Sequence, residues 1–168
     1  TGSVDLRDPY ITADLPLPDT TSAELQLEVE LFNLKNENQD IMLVGKIIDR
    51  SDNEPLEFSW PVEIVPGSNL VKLTSGEIPV FLLENPSLWW PIHYGKPNLY
   101  DLELQVIINE EVSDSEYTTF GIRELETFIG DYEREYSLNG VKIYPRGGNW
   151  VTDMLLNWNA TRLRQELE

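Results

Sequence analysis

The sequence has no cysteine and only one histidine, and each shortage excludes a class of function. Without cysteine the chain forms no disulfide, builds no thiolate metal site and offers no cysteine nucleophile. The single His93 cannot form a histidine cluster, and a zinc site made of carboxylates alone is rare. We therefore expect no catalytic residue of these types, no metal site and no cofactor.

Positive charge is also scarce. The chain has 12 Lys and Arg against 30 Asp and Glu, which gives a formal net charge of -18. Nucleic acids and anionic membrane surfaces are bound by clustered Lys and Arg, so neither is an expected partner. No apolar run approaches the roughly 18 residues of a membrane span, and no signal peptide is recognisable. The acidic residues are spread along the chain, which is typical of a solvated surface.

Alternation of apolar and polar residues predicts several antiparallel strands. Residues 23–31 and 101–108 alternate strictly, and so do residues 58–64, although Pro61 restricts that strand to a sheet edge or a bulge. Residues 41–48 are apolar on both faces and suit a central strand. The side chains with the clearest alternation, which we expect to be buried, are Leu25, Leu27, Val29, Leu31, Leu102, Leu104 and Val106.

Shorter candidate strands are separated by turn-forming residues. The candidates are residues 70–73, 79–83 and 117–122, the last pairing with 101–108 across a turn at 109–111. Roughly seven short strands with turns every 8–12 residues predict an all-β fold, an immunoglobulin-like antiparallel β-sandwich over residues 1–124.

The pattern changes after Glu124. Residues 132–138 lead into Asn139-Gly140, a hairpin turn signal, and residues 141–146 continue as a strand. A glycine-rich loop follows, and Asn159 is a plausible N-cap of a helix in which the sequence ends. A strand, a loop and a helix in this order predict the truncated first βα unit of an α/β domain over residues 125–168. We therefore expect the chain to be a piece of a longer polypeptide.

Three motifs follow one another between residues 85 and 150. The first is Asn85-Pro86-Ser87-Leu88-Trp89-Trp90-Pro91 with Gly95 and Leu99-Tyr100-Asp101-Leu102 after it. The second is Phe120-Gly121-Ile122-Arg123, and the third runs from Asn139 to Trp150. In this order they make the chain similar to glycoside hydrolase family 2, and the third resembles the entry to the family's catalytic barrel. Residues 1–84 match the family only by their strand pattern.

The resemblance implies a layout and an activity for a parent enzyme. In that family a sugar-binding jelly-roll precedes this sandwich, and a (β/α)8 barrel with both catalytic glutamates follows it. The residues from Asp131 on number 38, whereas a whole barrel takes about 250. No catalytic residue is therefore expected in this chain, which would be a non-catalytic fragment. Its partners would be the rest of its own polypeptide and an oligo- or polysaccharide substrate.

The third motif also narrows the branch of the family. Gly147-Gly148-Asn149-Trp150 with Asp153 after it resembles exo-β-glucosaminidases and β-mannosidases, whereas β-galactosidases usually carry a His-rich run there. The resemblance implies a retaining parent that hydrolyses terminal β-linked glucosamine or mannose. A secreted or periplasmic location is compatible with such a parent, but nothing in the chain specifies one.

The same resemblance suggests substrate-binding residues. If residues 141–146 are the first barrel strand, the loop after them lies at the face where barrel enzymes bind ligands. Asn149, Trp150 and Asp153 would then lie near the sugar, with Trp150 offering an apolar ring face and Asp153 accepting hydrogen bonds from hydroxyls or an ammonium. The alternative is that Trp150 closes the barrel's top layer and Asp153 caps a turn.

Other functional interpretations remain open. A free-standing carbohydrate-binding or adhesion module would also be a sandwich, because fold does not fix function. Trp89 and Trp90 could stack on sugar rings, but packing at the core and at a domain interface is favoured. Asp49, Asp52 and Asp114 are too scattered to argue for a calcium-stabilised sandwich.

Overall fold

The computed structural model describes residues 2–51, 55–131, 133–147 and 159–167, and antiparallel strands make up most of them. The strands are β1 (Val4–Asp14), β2 (Ser22–Asn33), β3 (Gln39–Asp49), β4 (Pro55–Ile64), β5 (Gly67–Leu73), β6 (Leu82–Glu84), β7 (Tyr100–Ile108), β8 (Glu111–Phe120), β9 (Leu125–Ile129), β10 (Arg134–Leu138) and β11 (Val141–Ile143). The described residues also contain one α-helix, α1 (Ala160–Leu167), and one 3-10 turn (Pro79–Phe81), which precedes β6.

Two four-stranded sheets enclose one hydrophobic core. The first has the order β1-β2-β5, with β6 also paired to β2, and the second has the order β4-β3-β7-β8. All seven side chains with the clearest alternation are fully buried in a cluster to which both sheets contribute. Phe58 of the second sheet meets Phe81 edge-on, with ring centroids 4.9 Å apart. The predicted β-sandwich is confirmed.

Strand positions follow the local sequence. β3, apolar on both faces, lies between β4 and β7, whereas β4 with Pro61 lies at the sheet edge, as predicted. β7 and β8 form the predicted hairpin. Its two turn residues, Asn109 and Glu110, have φ angles of 50° and 68°. Positive φ at both central residues is the mark of a type I′ turn, whose twist matches that of the strands.

The predicted and the observed sandwich elements differ in several places. Residues 79–83 were expected to be extended, but Pro79 starts the 3-10 turn, and the strand begins only at Leu82. The last sandwich strand begins earlier than residue 117 and ends at Phe120. β1 has no predicted counterpart, because a register shift between Arg7 and Tyr10 interrupts its alternation.

β1 ties the two sheets together at one side of the sandwich. It pairs with β2 in the first sheet, yet its outer edge is bound by side chains from far along the chain. The Val4 amide donates to the Ser113 hydroxyl at 3.0 Å, and the Leu6 amide donates to the Asp114 carboxylate at 2.8 Å. Near its other end, the Leu15 amide donates to Glu124 at 2.7 Å.

The chain after Glu124 forms a separate small sheet. β9, β10 and β11 make a three-stranded antiparallel sheet in the order β11-β10-β9. The strand expected over residues 141–146 ends at Ile143 and pairs antiparallel with β10, because the tight turn at Asn139-Gly140 folds it straight back. Among the described residues it has no parallel neighbour, and a barrel start is not shown.

The helix start agrees with the sequence. The backbone amides of Thr161 and Arg162 donate to the Asn159 side-chain oxygen at 3.0 and 3.3 Å. Asn159 is therefore the N-cap of α1, as predicted.

Candidate functional site

The residues predicted to contact a sugar cannot be located in this structure. Asn149, Trp150 and Asp153 lie outside the described residues. The described chain leads up to them as far as Gly147.

Trp89 lies at a contact between two of the three sequence motifs. Its backbone amide donates to the Ile122 carbonyl at 2.8 Å, and Leu88 bridges Ile122 in parallel. The Arg123 guanidinium lies 4.5 Å from the centre of the Trp89 ring. A cation over an indole face is held by the ring's quadrupole. The half-buried Trp89 is therefore packed against the Phe-Gly-Ile-Arg motif.

Asn139 brings in the third motif. It is buried and donates from its side-chain amide to the Trp89 carbonyl at 3.2 Å. Its side-chain oxygen accepts from the Glu124 amide at 2.9 Å, and its own amide donates to the Glu124 carbonyl at 2.8 Å. We call the set of Trp89, Gly121–Arg123 and Asn139 the motif junction. It attaches the small sheet to the sandwich.

Two glycines leave room for the tandem tryptophans. A Cβ atom at Gly121 would lie 2.9 Å from the Trp89 Cβ, and one at Gly95 would lie 2.7 Å from Trp90. Real side chains do not come so close, so these positions need glycine for close approach. The favoured interpretation of the two tryptophans as packing residues accords with these contacts.

A groove of about 610 Å³ opens beside the motif junction. The loop after Trp89 forms one wall, and the apolar face of the small sheet with the segment that follows β11 forms the other. Its apolar lining includes Trp89, Ile92, Tyr94, Leu125, Ile143 and Tyr144. The Tyr144 amide donates to the Tyr94 hydroxyl at 3.1 Å and links the two walls.

The charged groups of the groove are basic. Arg123 and Arg146 line it together with His93, and no carboxylate is among its described lining residues. His93 is exposed and has a φ of 74°. Arg146 has no ion-pair partner within the described ranges. The groove is thus apolar and cationic in a chain whose net charge is -18.

A polar cluster lies on the outer face of the second sandwich sheet. Arg50 grips Asp101 with two hydrogen bonds of 2.9 and 2.7 Å, and Thr119 donates to the same carboxylate at 2.9 Å. The hydrogen bonds from Arg50 lower the pKa of Asp101 to about 2. Burial raises the pKa of the neighbouring Tyr100 to about 12. The cluster fixes the end of β3 to β7 and β8, and its groups are satisfied by one another.

Within the described ranges, no group of three or more His, Cys, Asp or Glu residues could hold a metal ion. None of the described helices is long and apolar enough to cross a membrane.

The family model for glycosyl hydrolases family 2 matches residues 4–123, which is most of the chain. The chain belongs to glycoside hydrolase family 2. The matched residues are the sandwich from the first residue of β1 to Arg123 in the motif junction.

Curated relatives match this family 2 chain over nearly its whole length. It is 28% identical over 167 residues to an exo-β-D-glucosaminidase of Streptomyces avermitilis, which covers 99% of this chain and 18% of the relative. It is also 28% identical over 153 residues to a mannosylglycoprotein endo-β-mannosidase of Lilium longiflorum, over 87% of this chain and 16% of that protein. The chain therefore spans about a fifth of the length of these relatives.

Solved structures agree on the fold. The crystal structure of the Amycolatopsis orientalis exo-chitosanase CsxA matches with a TM-score of 0.76 and 24% identity, over 99% of this chain and 18% of that one. At this identity the match shows the fold.

The groove was not predicted from the sequence. Its lining comes from three segments, residues 89–94, 123–125 and 138–146, which no periodic pattern joins. The signal that was available is the order of the motifs, because each of these segments overlaps or borders one of them.

Proposed function

We propose that this chain is the non-catalytic sandwich region of a retaining β-glycosidase whose parent hydrolyses terminal β-linked glucosamine or mannose. One observation carries the proposal. Exo-β-D-glucosaminidases of three organisms match 99 to 100% of this chain but only 18% of their own length. The alternative of a free-standing carbohydrate-binding or adhesion module has less support, since the matched region is part of a larger protein in each of these relatives.

The proposed domain boundary falls at residue 124, with residues 1–124 as the sandwich and 125–168 as the start of the catalytic domain. Two features support it. The family model ends at residue 123, and the next strand, β9, leaves both sandwich sheets to open the small one.

The acidic residues of the sandwich support a non-catalytic role. A retaining glycosidase holds two carboxyl groups about 5 Å apart on either side of the scissile bond. Glu28 and Glu30 instead lie on the outward face of β2, where Glu28 pairs with Lys72 at 2.5 Å and Glu30 accepts from Ser68 at 2.6 Å. An ion pair at Glu28 and a hydrogen bond at Glu30, both on an open face, fit a surface role.

A hydrolysis assay tests the proposal. The 168-residue chain and the longer polypeptide from the full reading frame are each incubated with p-nitrophenyl β-glucosaminide and β-mannoside. We expect turnover from the longer polypeptide and none above buffer from the chain, because a nucleophile and an acid–base group are both needed. Clear turnover by a pure preparation of the chain would refute its non-catalytic role.

We further propose that Asn149, Trp150 and Asp153 contact the sugar in the parent enzyme. Asp153→Ala in the longer polypeptide should lower kcat/KM for the glucosaminide roughly tenfold or more, because a carboxylate-to-ammonium contact is worth about 1.5–3 kcal/mol. The mannoside, which has no ammonium, should be affected less. Asp131→Ala serves as the control. Equal kinetics of Asp153→Ala and wild type on both substrates, at equal stability, would remove Asp153 from the site.

A further inference from the structure

We infer that the groove beside the motif junction is the docking site for the part of the polypeptide outside this chain, and that the docked segment presents apolar side chains and a carboxylate. The inference rests on the proposed function, since it requires a longer polypeptide. It adds the place of contact and the chemistry of the segment that binds there.

The first argument is the exposed apolar surface. Ile92 is 80% exposed, Tyr144 71% and Leu125 58%, and all three line the groove. The strand register places Ile129 and Val141 on the same sheet face as Leu125, and they are 71% and 47% exposed. Adjacent exposed apolar side chains of this kind mark an interaction site.

The opposite face of the small sheet provides an internal comparison. There Ser137 donates to Glu126 at 3.0 Å, and Lys142 pairs with Glu135. This face also carries Phe128, which is 53% exposed, and Arg134 lies on the groove face. Polar pairs nevertheless prevail on this face, whereas apolar side chains prevail on the groove face. This asymmetry is typical of a sheet that has one wet face and one covered face.

The second argument is charge. The groove holds Arg123, Arg146 and His93 and no carboxylate among its described lining residues, although the chain as a whole has 18 more acidic than basic residues. Guanidinium groups in an apolar setting bind carboxylates strongly, often through two hydrogen bonds. A segment with an Asp or Glu beside apolar residues complements this lining.

Two other occupants fit less well. Two copies of this chain would repel each other, because each has a net charge of -18. A twofold interface on this groove would also place the arginines of the two copies close together. A glucosamine unit carries a positive charge, which the arginines repel. Stacking of a sugar on Trp89 is also hindered, because the Arg123 guanidinium already covers one face of the ring.

The length of the relatives favours one occupant, the rest of the polypeptide. This chain corresponds to 18% of the Streptomyces avermitilis relative, so most of such a protein lies outside it. In such a protein the remainder is joined covalently to the region that this chain matches, and a linked segment has an effective concentration in the millimolar range. A partner in solution would need far higher affinity to compete.

Thiol labelling tests the inference. The chain has no cysteine, so Ile92→Cys places a single thiol in the groove, and Leu70→Cys places a matched thiol on β5, where Leu70 is 60% exposed. N-ethylmaleimide modification of each site is followed by peptide mass spectrometry in the 168-residue chain and in the longer polypeptide. We expect the thiol at position 92 to react roughly tenfold or more slowly in the longer polypeptide, because a covered site reacts only after opening. The thiol at position 70 should react equally in both.

Three results would overturn the inference. The first is equal labelling at position 92 in the two proteins. The second is protection in the 168-residue chain that grows with its concentration, which indicates a second copy. The third is protection in that chain by glucosamine oligomers, which indicates a sugar site.

Charge reversal tests the carboxylate. Arg146→Glu should lower the Tm of the longer polypeptide and leave that of the 168-residue chain unchanged, whereas Arg164→Glu on α1 should change neither. A lower Tm in both proteins would mean that Arg146 stabilises this chain itself. An unchanged Tm in both would show that no carboxylate of the docked segment binds Arg146.

The inference and the proposed function can fail separately. A longer polypeptide that hydrolyses the glucosaminide while position 92 stays accessible refutes the docking site alone. Protection of position 92 in a polypeptide without glycosidase activity refutes the proposed function alone. A reading frame without further sequence refutes both.

Discussion

At the scale of single residues, Asp101 is a surface carboxylate that accepts several side-chain hydrogen bonds. Arg50 binds it with two hydrogen bonds, and Thr119 adds a third. Exposed ion pairs contribute little on average, but a two-pronged Arg–carboxylate contact is the favourable case. Because the pair joins the end of β3 to β7 and β8, its loss should weaken the whole second sheet.

The pH dependence of this pair can be predicted. The pKa of Asp101 is about 2 in the folded chain, below the ordinary value of 3.8. Its contribution is therefore complete above about pH 3.8 and is lost as the pH falls through about 2. We expect Asp101→Asn to lower the free energy of unfolding by about 0.5–1 kcal/mol at pH 7 and by progressively less as the pH falls through about 2.

Urea denaturation at several pH values measures this difference. Asp40→Asn is the control, since Asp40 is exposed on the same sheet face and has no ion pair within the described ranges. A deficit of Asp101→Asn that is as large at pH 2 as at pH 7, or one that Asp40→Asn matches at pH 7, would contradict the assignment.

At the scale of elements, the hairpin of β10 and β11 depends on Asn139. Its φ of 49° lies in the left-handed region, and its side chain bonds to Glu124 and Trp89. Asn tolerates this conformation better than other residues that have a Cβ. Asn139 therefore both forms the turn and attaches the small sheet to the sandwich.

Two substitutions separate these roles. Asn139→Gly keeps the backbone conformation but removes the side-chain bonds, and it should cost roughly 1–2 kcal/mol. Asn139→Ala should cost about 1 kcal/mol more, because alanine is strained at positive φ. Hydrogen exchange of the β10 amides and thermal unfolding measure both effects.

Asn109 supplies the matched control. Its φ of 50° is nearly the same, but its side chain makes no hydrogen bond to a described residue. Asn109→Gly should therefore be nearly neutral. Similar losses for Asn109→Gly and Asn139→Gly would show that the bonds to Glu124 and Trp89 contribute nothing.

The same elements show what could be predicted from the sequence. Strict alternation marked the buried faces of β2 and β7, and Pro61 marked an edge, because burial on one face imposes a period of two. β1 was missed because the register shift between Arg7 and Tyr10 breaks that period. The third motif predicted a hairpin at Asn139-Gly140 correctly, yet local sequence could not tell that β11 would end at Ile143 and pair only with β10.

At the scale of the whole molecule, charge opposes folding. A net charge of -18 on 168 residues repels itself in the compact state more than in the unfolded chain. The groove with its arginines is a local exception, and its three wall segments could not be joined from sequence because their contact arises only in the folded chain.

Salt should therefore stabilise this protein. Raising NaCl from about 0.01 to about 0.15 M shortens the screening length from roughly 30 to roughly 8 Å. We expect the urea midpoint to rise over this range and then to level off. KCl at equal ionic strength should act the same, which separates screening from specific ion binding. A midpoint that stays constant or falls would mean that attractive charge pairs outweigh the repulsion.

The way β1 is held has a consequence for synthesis on the ribosome. β1 can pair with β2 soon after both emerge, but the groups that bind its outer edge, Ser113, Asp114 and Glu124, lie 108 or 109 residues after their partners. At translation rates of 5–20 residues per second, that edge waits roughly 5 to 20 s. The irregularity between Arg7 and Tyr10, with Pro9 inside it, then disfavours pairing with a neighbouring nascent chain. The irregularity that breaks the alternation of β1 in the sequence thus also disfavours wrong pairing of its edge until Ser113, Asp114 and Glu124 have been synthesised.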